Sequence, residues 1–168
     1  MLRVDIRPIS KKDIDALTAI EPGVAKRWVP RLEAQERGDY AFLVAWSFDA
    51  PVGRAILRWD SAYPDVRDRL GDFPEINGLV AEVRNEGVGT QLIAACERVA
   101  AEERAAQRLG ISVAINNDSA MRLYRRRGFE PWDGGNVSAE WDERDDDGHI
   151  VKTHRELGVY LTKRLNRG

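Results

Sequence analysis

The chain has one cysteine, Cys96, among 168 residues, so an internal disulfide is excluded and a reducing compartment fits. It has two histidines, His149 and His154, five positions apart and with no ligand pattern around them, which gives no metal site of a familiar spacing. It lacks a basic surplus: 26 Lys and Arg face 28 Asp and Glu, a net charge of −2, which argues against a nucleic-acid partner. No apolar run approaches a membrane span, and the opening Met1-Leu2-Arg3-Val4-Asp5 has no signal-peptide stretch. Internal repeats, long linkers and low-complexity tracts are also missing. The expectation is one cytoplasmic, soluble domain over residues 1–168, and its 43% hydrophobic and 32% charged content is ordinary for one.

Periodicity supplies the elements. Residues 3–9 alternate Val4 and Ile6 with charged residues, as a half-buried strand does. Ser10 suits the N-cap of a helix carrying Ile14, Leu17 and Ile20, which Pro22-Gly23 breaks. A second helix over 24–37 ends at Gly38. Two strands, 40–48 and 52–59, flank a hairpin turn at Asp49-Ala50-Pro51. Residues 61–73 read as a polar loop and 75–83 as a strand. A long helix follows, with Val88, Leu92, Ile93, Cys96, Val99 and Ala100 on one stripe and Gly110 as its terminator. Residues 111–115 form a short apolar run of the central-strand kind. Asn117-Asp118-Ser119 caps another helix with Ala120, Leu123 and Tyr124 on its apolar face, and Gly128 closes it. Extended segments at 129–132, 137–141 and 156–165 complete the order β-α-α-β-β-β-α-β-α-β-β, a mixed α/β chain with antiparallel pairing early and crossover helices later.

The loop Arg84-Asn85-Glu86-Gly87-Val88-Gly89 stands between a strand and the long helix. Glycines allow a backbone to approach a pyrophosphate, and the helix behind them offers unpaired N–H groups and a positive dipole end. A Walker-type loop would end in Gly-Lys-Ser/Thr, whereas this one continues Gly89-Thr90-Gln91. A dinucleotide fingerprint would place a third glycine where Leu92 stands. Read alone, the loop is either a phosphate cradle of another kind or a glycine turn without a ligand.

A second block follows at fixed distance. Arg84, Gly87 and Gly89, then the long helix and short strand, then Asn117, Ala120, Leu123, Tyr124, Gly128 and Phe129 together resemble the GNAT N-acetyltransferase superfamily. The resemblance is strongest over residues 75–132. It implies a central, twisted, mostly antiparallel mixed sheet splayed near its middle, with helices on both faces. It also implies transfer of an acyl group, acetyl by family default, from acetyl-CoA to a primary amine by direct attack, with no metal. One departure is that Leu79-Val80-Ala81-Glu82-Val83-Arg84 is compact and has no proline, where many members carry an extra pair of residues with one.

The resemblance also assigns residues. Arg84, Asn85, Glu86, Gly87, Val88, Gly89 and Thr90 would hold the coenzyme pyrophosphate. Leu79, Val80 and Ala81 would border its pantetheine arm, with backbone N–H groups near Leu79 and Val80 as oxyanion donors. Asn117 would lie beside the same arm and cap its own helix. Tyr124 matches the tyrosine that protonates the leaving thiolate, and Glu75 is the candidate base, against the alternative of a solvated strand-end carboxylate. Glu82 is the poorer base, since it would repel phosphate. Arg122, Arg125, Arg126 and Arg127 make one helix basic, as a solvated face or as contacts to the ribose phosphate. The acidic run from Asp142 to Gly148 reads as a solvated hairpin tip or as a lure for a cationic amine. Trp28 is either core or a border of the acceptor pocket. A small-molecule acceptor is the first expectation. The alternatives are a peptide N-terminus or lysine, and, from other classes, a CoA-binding sensor without turnover or an interaction protein that binds no nucleotide. A homodimer through the C-terminal strands is the family-based expectation for assembly.

Overall fold

The computed structural model describes residues 1–165. Strand β1 (Asp5–Pro8) leads to helices α1 (Lys11–Thr18) and α2 (Pro22–Glu36), then to strands β2 (Tyr40–Ser47) and β3 (Ala50–Arg58). Ser10 and Asp13 form a full capping box at the start of α1, and Pro22 occupies the first turn of α2, where its missing N–H costs nothing. Helix α3 (Pro64–Leu70) precedes β4 (Glu75–Ala81), α4 (Val88–Arg104), β5 (Arg108–Ala114) and α5 (Asp118–Arg126). The short β6 (Glu130–Pro131) and the long hairpin of β7 (Val137–Arg144) and β8 (Ile150–Arg164) close the described chain.

The strands form one mixed sheet in the order β1-β2-β3-β4-β5-β8-β6, with β7 pairing β8. Helices cover both faces. The stripe of α4, with Leu92, Ile93 and Cys96 fully enclosed, packs with Leu43, Leu57, Leu109 and Ile111 on one face. On the other face, Trp28 of α2 meets Phe42 edge-on with ring centroids 5.3 Å apart, so Trp28 belongs to the core. A third cluster on that face gathers Tyr63, Val66, Phe73, Val137 and Tyr160. Among the described residues, no helix is long and apolar enough to cross a membrane.

Three segments differ from the sequence reading, each for a physical reason. The expected loop at 61–73 contains α3, which buries a single apolar residue, Val66, and therefore has no stripe to read. Gly110 does not end the long helix: α4 stops at Arg104, with Ala105 left-handed (φ 51°). Gly110 lies inside β5, where an added methyl group would overlap the Tyr160 hydroxyl and crowd Phe73. β8 begins at Ile150, because most of the β7–β8 hairpin is solvated on both sides and shows no alternation.

Candidate active site

The sheet is continuous except at one seam. β4 and β5 run parallel and pair only at Glu75↔Gly110 and Ile76↔Ile111. Beyond Ile76 the two strands separate, so residues 77–81 of β4 and 112–114 of β5 flank an opening. On its other edge β4 stays paired with β3, but with a bulge: Arg54 faces Val80 and Ile56 faces Asn77, leaving Ala55 opposite both Gly78 and Leu79. Gly78 takes a left-handed φ of 70° there, a conformation that strains any side-chain-bearing residue. The bulge lies where β4 has left β5, and it breaks the regular β3 ladder at Gly78 and Leu79. Val80 and Ala81 resume pairing, with Arg54 and Gly53.

The glycine loop caps this opening. Asn85 (φ 61°) and Gly87 (φ 75°, ψ 13°) are both left-handed, which turns the chain from β4 into α4. No side chain caps α4, so the first amides of a 17-residue helix have no side-chain acceptor. That is the donor set an anionic pyrophosphate requires, and the residues fit it. The far side of the loop is tied down: Leu2 N–H donates to Glu86 O (3.0 Å), and Met1 packs against Gly87. Gln91 fastens the same segment. Its Nε2 donates to Leu2 O (2.6 Å) and Gly87 O (3.3 Å), and its Oε1 accepts from Val4 N–H (3.4 Å). Gln91 was not anticipated from the sequence, where it is one polar residue in a helix. Val88 is buried, while Gly89 faces α5, with Leu123 close to where a Cβ would stand, and Thr90 is half-buried. Arg84 is exposed.

α5 starts at the opening's other side. Asn117 Oδ1 accepts from Ala120 N–H (3.1 Å), the expected cap. Tyr124 is the one buried residue of α5, packed edge-on to Phe129 at 6.3 Å. Its hydroxyl has no hydrogen-bond partner among the described residues, and it is not sealed from solvent. Burial pushes the phenol up to about 12, so it is a proton donor throughout the neutral range.

Glu75 is not a solvated carboxylate; it is 1% exposed. Oε1 accepts from Ser61 Oγ (2.6 Å) and Tyr160 Oη (2.7 Å), and Oε2 accepts from Ala62 N–H (3.0 Å). Tyr63 continues the cluster, bonding Ser112 Oγ at 2.7 Å, and its ring meets that of Tyr160 edge-on. Burial raises the phenols of Tyr160 and Tyr63, with Glu75 adding to both. Ser61, Tyr63, Ser112 and Tyr160 are absent from the sequence-based site. Ser112 alone carried a signal, as the one polar residue in the run 111–115.

The remaining charges sort clearly. Glu82 pairs with Arg54 (2.8 Å). Arg127 pairs with Glu97 (3.0 Å), which Lys163 also contacts, and Arg125 pairs with Glu130 (3.2 Å). Arg122 and Arg126 are exposed. At the β7–β8 tip Asp145, Asp147 and His149 bring ligand atoms within 4.8 Å of one another, but Asp145 Oδ1 already accepts from the N–H groups of Asp147 and His149, as a tight turn requires. Asp146 reaches α2, pairing with Arg27 at 2.5 Å, so the hairpin that extends β8 touches the helix that packs on β2. A cavity of about 880 Å³ lies elsewhere, at the paired ends of β4 and β5.

A parallel seam that opens beside a bulge is followed, at the C-terminal end of β4, by a glycine loop at the head of an uncapped helix. The model of the acetyltransferase (GNAT) family matches residues 14–129, more than half of the chain, and the chain belongs to that family. It is an acetyl-CoA-dependent N-acetyltransferase. Solved structures share the fold. A ribosomal-protein-alanine N-acetyltransferase from Brucella melitensis is 23% identical, with a TM-score of 0.64 over 96% of this chain and 99% of that one. yncA from Salmonella typhimurium, solved with its cofactor acetyl-CoA, is 16% identical, with a TM-score of 0.62 over 99% and 96%. Arabidopsis thaliana NAA60, solved with a bisubstrate analogue, is 15% identical, with a TM-score of 0.61 over 99% and 100%. No curated protein sequence matches the chain.

Proposed function

We propose that the enzyme binds acetyl-CoA in the β4–β5 opening and transfers the acetyl group to a small cationic primary amine, with Tyr124 as the general acid. The observation that carries this reading is the Tyr124 hydroxyl: it belongs to a buried side chain, has no hydrogen-bond partner among the described residues, and stands on the helix that borders the opening. The uncapped amides of α4, with Arg84, take the pyrophosphate. Leu79, at the bulge, offers backbone N–H to the thioester oxygen, and Val80, Ala81 and Asn117 border the pantetheine arm.

The amine nitrogen attacks the thioester carbonyl carbon, and its electron pair forms the new C–N bond. The carbonyl oxygen becomes anionic and is held by backbone donors. Collapse breaks the C–S bond, and Tyr124 gives its proton to the departing sulfur. The ammonium group first releases one proton to water, which frees the electron pair for attack; the second proton, lost from nitrogen as the C–N bond forms, passes through water and restores the phenol. Glu75 is a positioning residue in this scheme. Three donors enclose its carboxylate, which leaves it no open path to an amine, while they lock Ser61, Tyr160 and, through Tyr160, the Tyr63–Ser112 pair beside the seam.

The described elements all join one sheet or pack on it, which supports reading residues 1–168 as one catalytic domain. The acceptor class rests on the hairpin. Its acidic tip is held to α2 by the Asp146–Arg27 ion pair, and negative charge at that tip would gather ammonium groups. The test is thiol release from acetyl-CoA against polyamines, neutral amines, peptides with free N-termini and lysine peptides. The highest kcat/KM belongs to a small cationic amine. Faster turnover of peptides would move the acceptor to proteins, and binding without turnover on every class would overturn the enzymatic reading of this site.

A further inference from the structure

We propose that the cavity at the paired ends of β4 and β5 is a second ligand site, built for an organic anion with two or more negative charges. The cavity measures about 880 Å³, within the range of small-molecule sites and far larger than an inorganic ion needs. It lies at the N-terminal ends of β4 and β5, whereas the glycine loop follows the C-terminal end of β4, so it is separate from the acetyl-CoA seat. Arg104, Arg108 and Arg164 all line it, against one carboxylate among the described residues, Asp72.

Two features make this an arrangement rather than a charged surface. Arg108 and Arg164 are direct cross-strand partners of β5 and β8, so their side chains project to the same face. Like charges in that position repel. Elsewhere the molecule avoids this: Arg155 faces Glu140 across β7 and β8 and pairs with it at 2.9 Å. At 108 and 164 no carboxylate of the described residues completes an ion pair with either arginine. Second, aromatic faces steer the guanidinium groups. Arg104 stacks over Trp59 at 4.1 Å, and Arg108 lies over Phe73 at 5.6 Å. Trp59 and Phe73 also line the cavity, giving an apolar wall for the body of a ligand whose phosphates or carboxylates meet the arginines. An anion between Arg108 and Arg164 removes a repulsion that the empty site carries.

ADP, as a phosphate-bearing probe with a flat base, and citrate, as a carboxylate-bearing one, are titrated calorimetrically into protein saturated with CoA. Saturable binding of either probe is expected, weakened at least ten-fold by Arg108→Gln and by Arg164→Gln and unchanged by Arg84→Gln. The probe that binds more tightly distinguishes phosphate from carboxylate recognition. At low salt, Arg108→Gln without ligand is expected to melt above the unsubstituted protein, because the repulsion is gone. Arg164 is exposed and Arg108 half-buried, and an unchanged thermal shift with acetyl-CoA verifies the fold of both variants. Absence of saturable binding for both probes, equal affinity in the Arg108 and Arg164 variants, or a dependence on Arg84 instead would overturn the proposal.

Discussion

The phenol of Tyr160 donates a 2.7 Å hydrogen bond to Glu75 Oε1 across 85 positions of sequence, joining the last strand of the sheet to the strand that forms one wall of the opening. Glu75 sits at one of only two residue pairs that hold β4 to β5, so the bond braces the point from which the sheet splays. Glu75→Gln puts an NH2 group against at least one of three donors and is expected to cost about 1–3 kcal/mol of stability. It is also expected to lower kcat while leaving the acidic limb of the kcat/KM pH profile in place. Displacement of that limb, seen in the pH dependence of thiol release, would return Glu75 to the role of base.

Gln91 lies behind the opening, yet its three hydrogen bonds, to Leu2, Val4 and Gly87, tie the N-terminal segment to the glycine loop. Gln91→Ala is expected to weaken acetyl-CoA binding several-fold, raising KM with little change in kcat, because the loop loses its order before the ligand arrives. Calorimetric titration checks this, and an unaltered Kd would show that the N-terminal anchor is irrelevant to the loop.

Alkaline pH should unfold the protein by a defined route. Burial raises the phenol of Tyr124 to about 12 and pushes those of Tyr63 and Tyr160 upward as well. In the unfolded chain tyrosines ionise near pH ~10. As pH climbs from 10 toward 12, the unfolded state loses protons that the folded state keeps, so stability falls. Tyr124 alone contributes about 2–3 kcal/mol that is present below pH ~10 and lost by pH ~12. The Cys96 thiol, raised to about 12 by burial and then by Glu97, adds to the decline from pH ~8.5 upward. Melting curves should be level to pH ~8.5 and then descend, less steeply in Tyr124→Phe above pH 10. A Tm that is flat to pH 12 would contradict the burial of these groups.

The same enclosure makes Cys96 inert. In native protein it should resist a thiol-specific disulfide reagent and react only after unfolding. Rapid native labelling would place it outside the core.

What could be read from the sequence follows from where pattern and physics coincide. The α4 stripe, the capping residues Ser10 and Asn117, and the order of elements from β4 to α5 were legible because amphipathic period and cap chemistry are local. The opening itself was reached through resemblance, since a seam between parallel strands is a relation between β4 and β5 that neither segment displays alone. The acidic hairpin tip was legible, but α3 and the outer strand lengths of that hairpin, 142–144 and 150–155, were missed, because one buried Val66, and a ribbon wet on both sides, leave no periodic trace. The Glu75 cluster was invisible for a related reason. Ser61, Tyr63, Ser112 and Tyr160 come from four separate stretches of chain, and only the sheet brings them to one carboxylate. The compact, proline-free segment from Leu79 to Arg84 follows directly on Gly78, and after the bulge Val80 and Ala81 pair regularly with β3.

The most direct measurement concerns Tyr124. Acetyl-CoA affinity and single-turnover CoA release are compared between the unsubstituted enzyme and Tyr124→Phe, using the best acceptor from the amine panel. Equal Kd with release slowed by about 10²-fold or more is the predicted result. Equal Kd with an unchanged rate would contradict the account, because the unpartnered phenol beside the opening would then have no part in the chemistry.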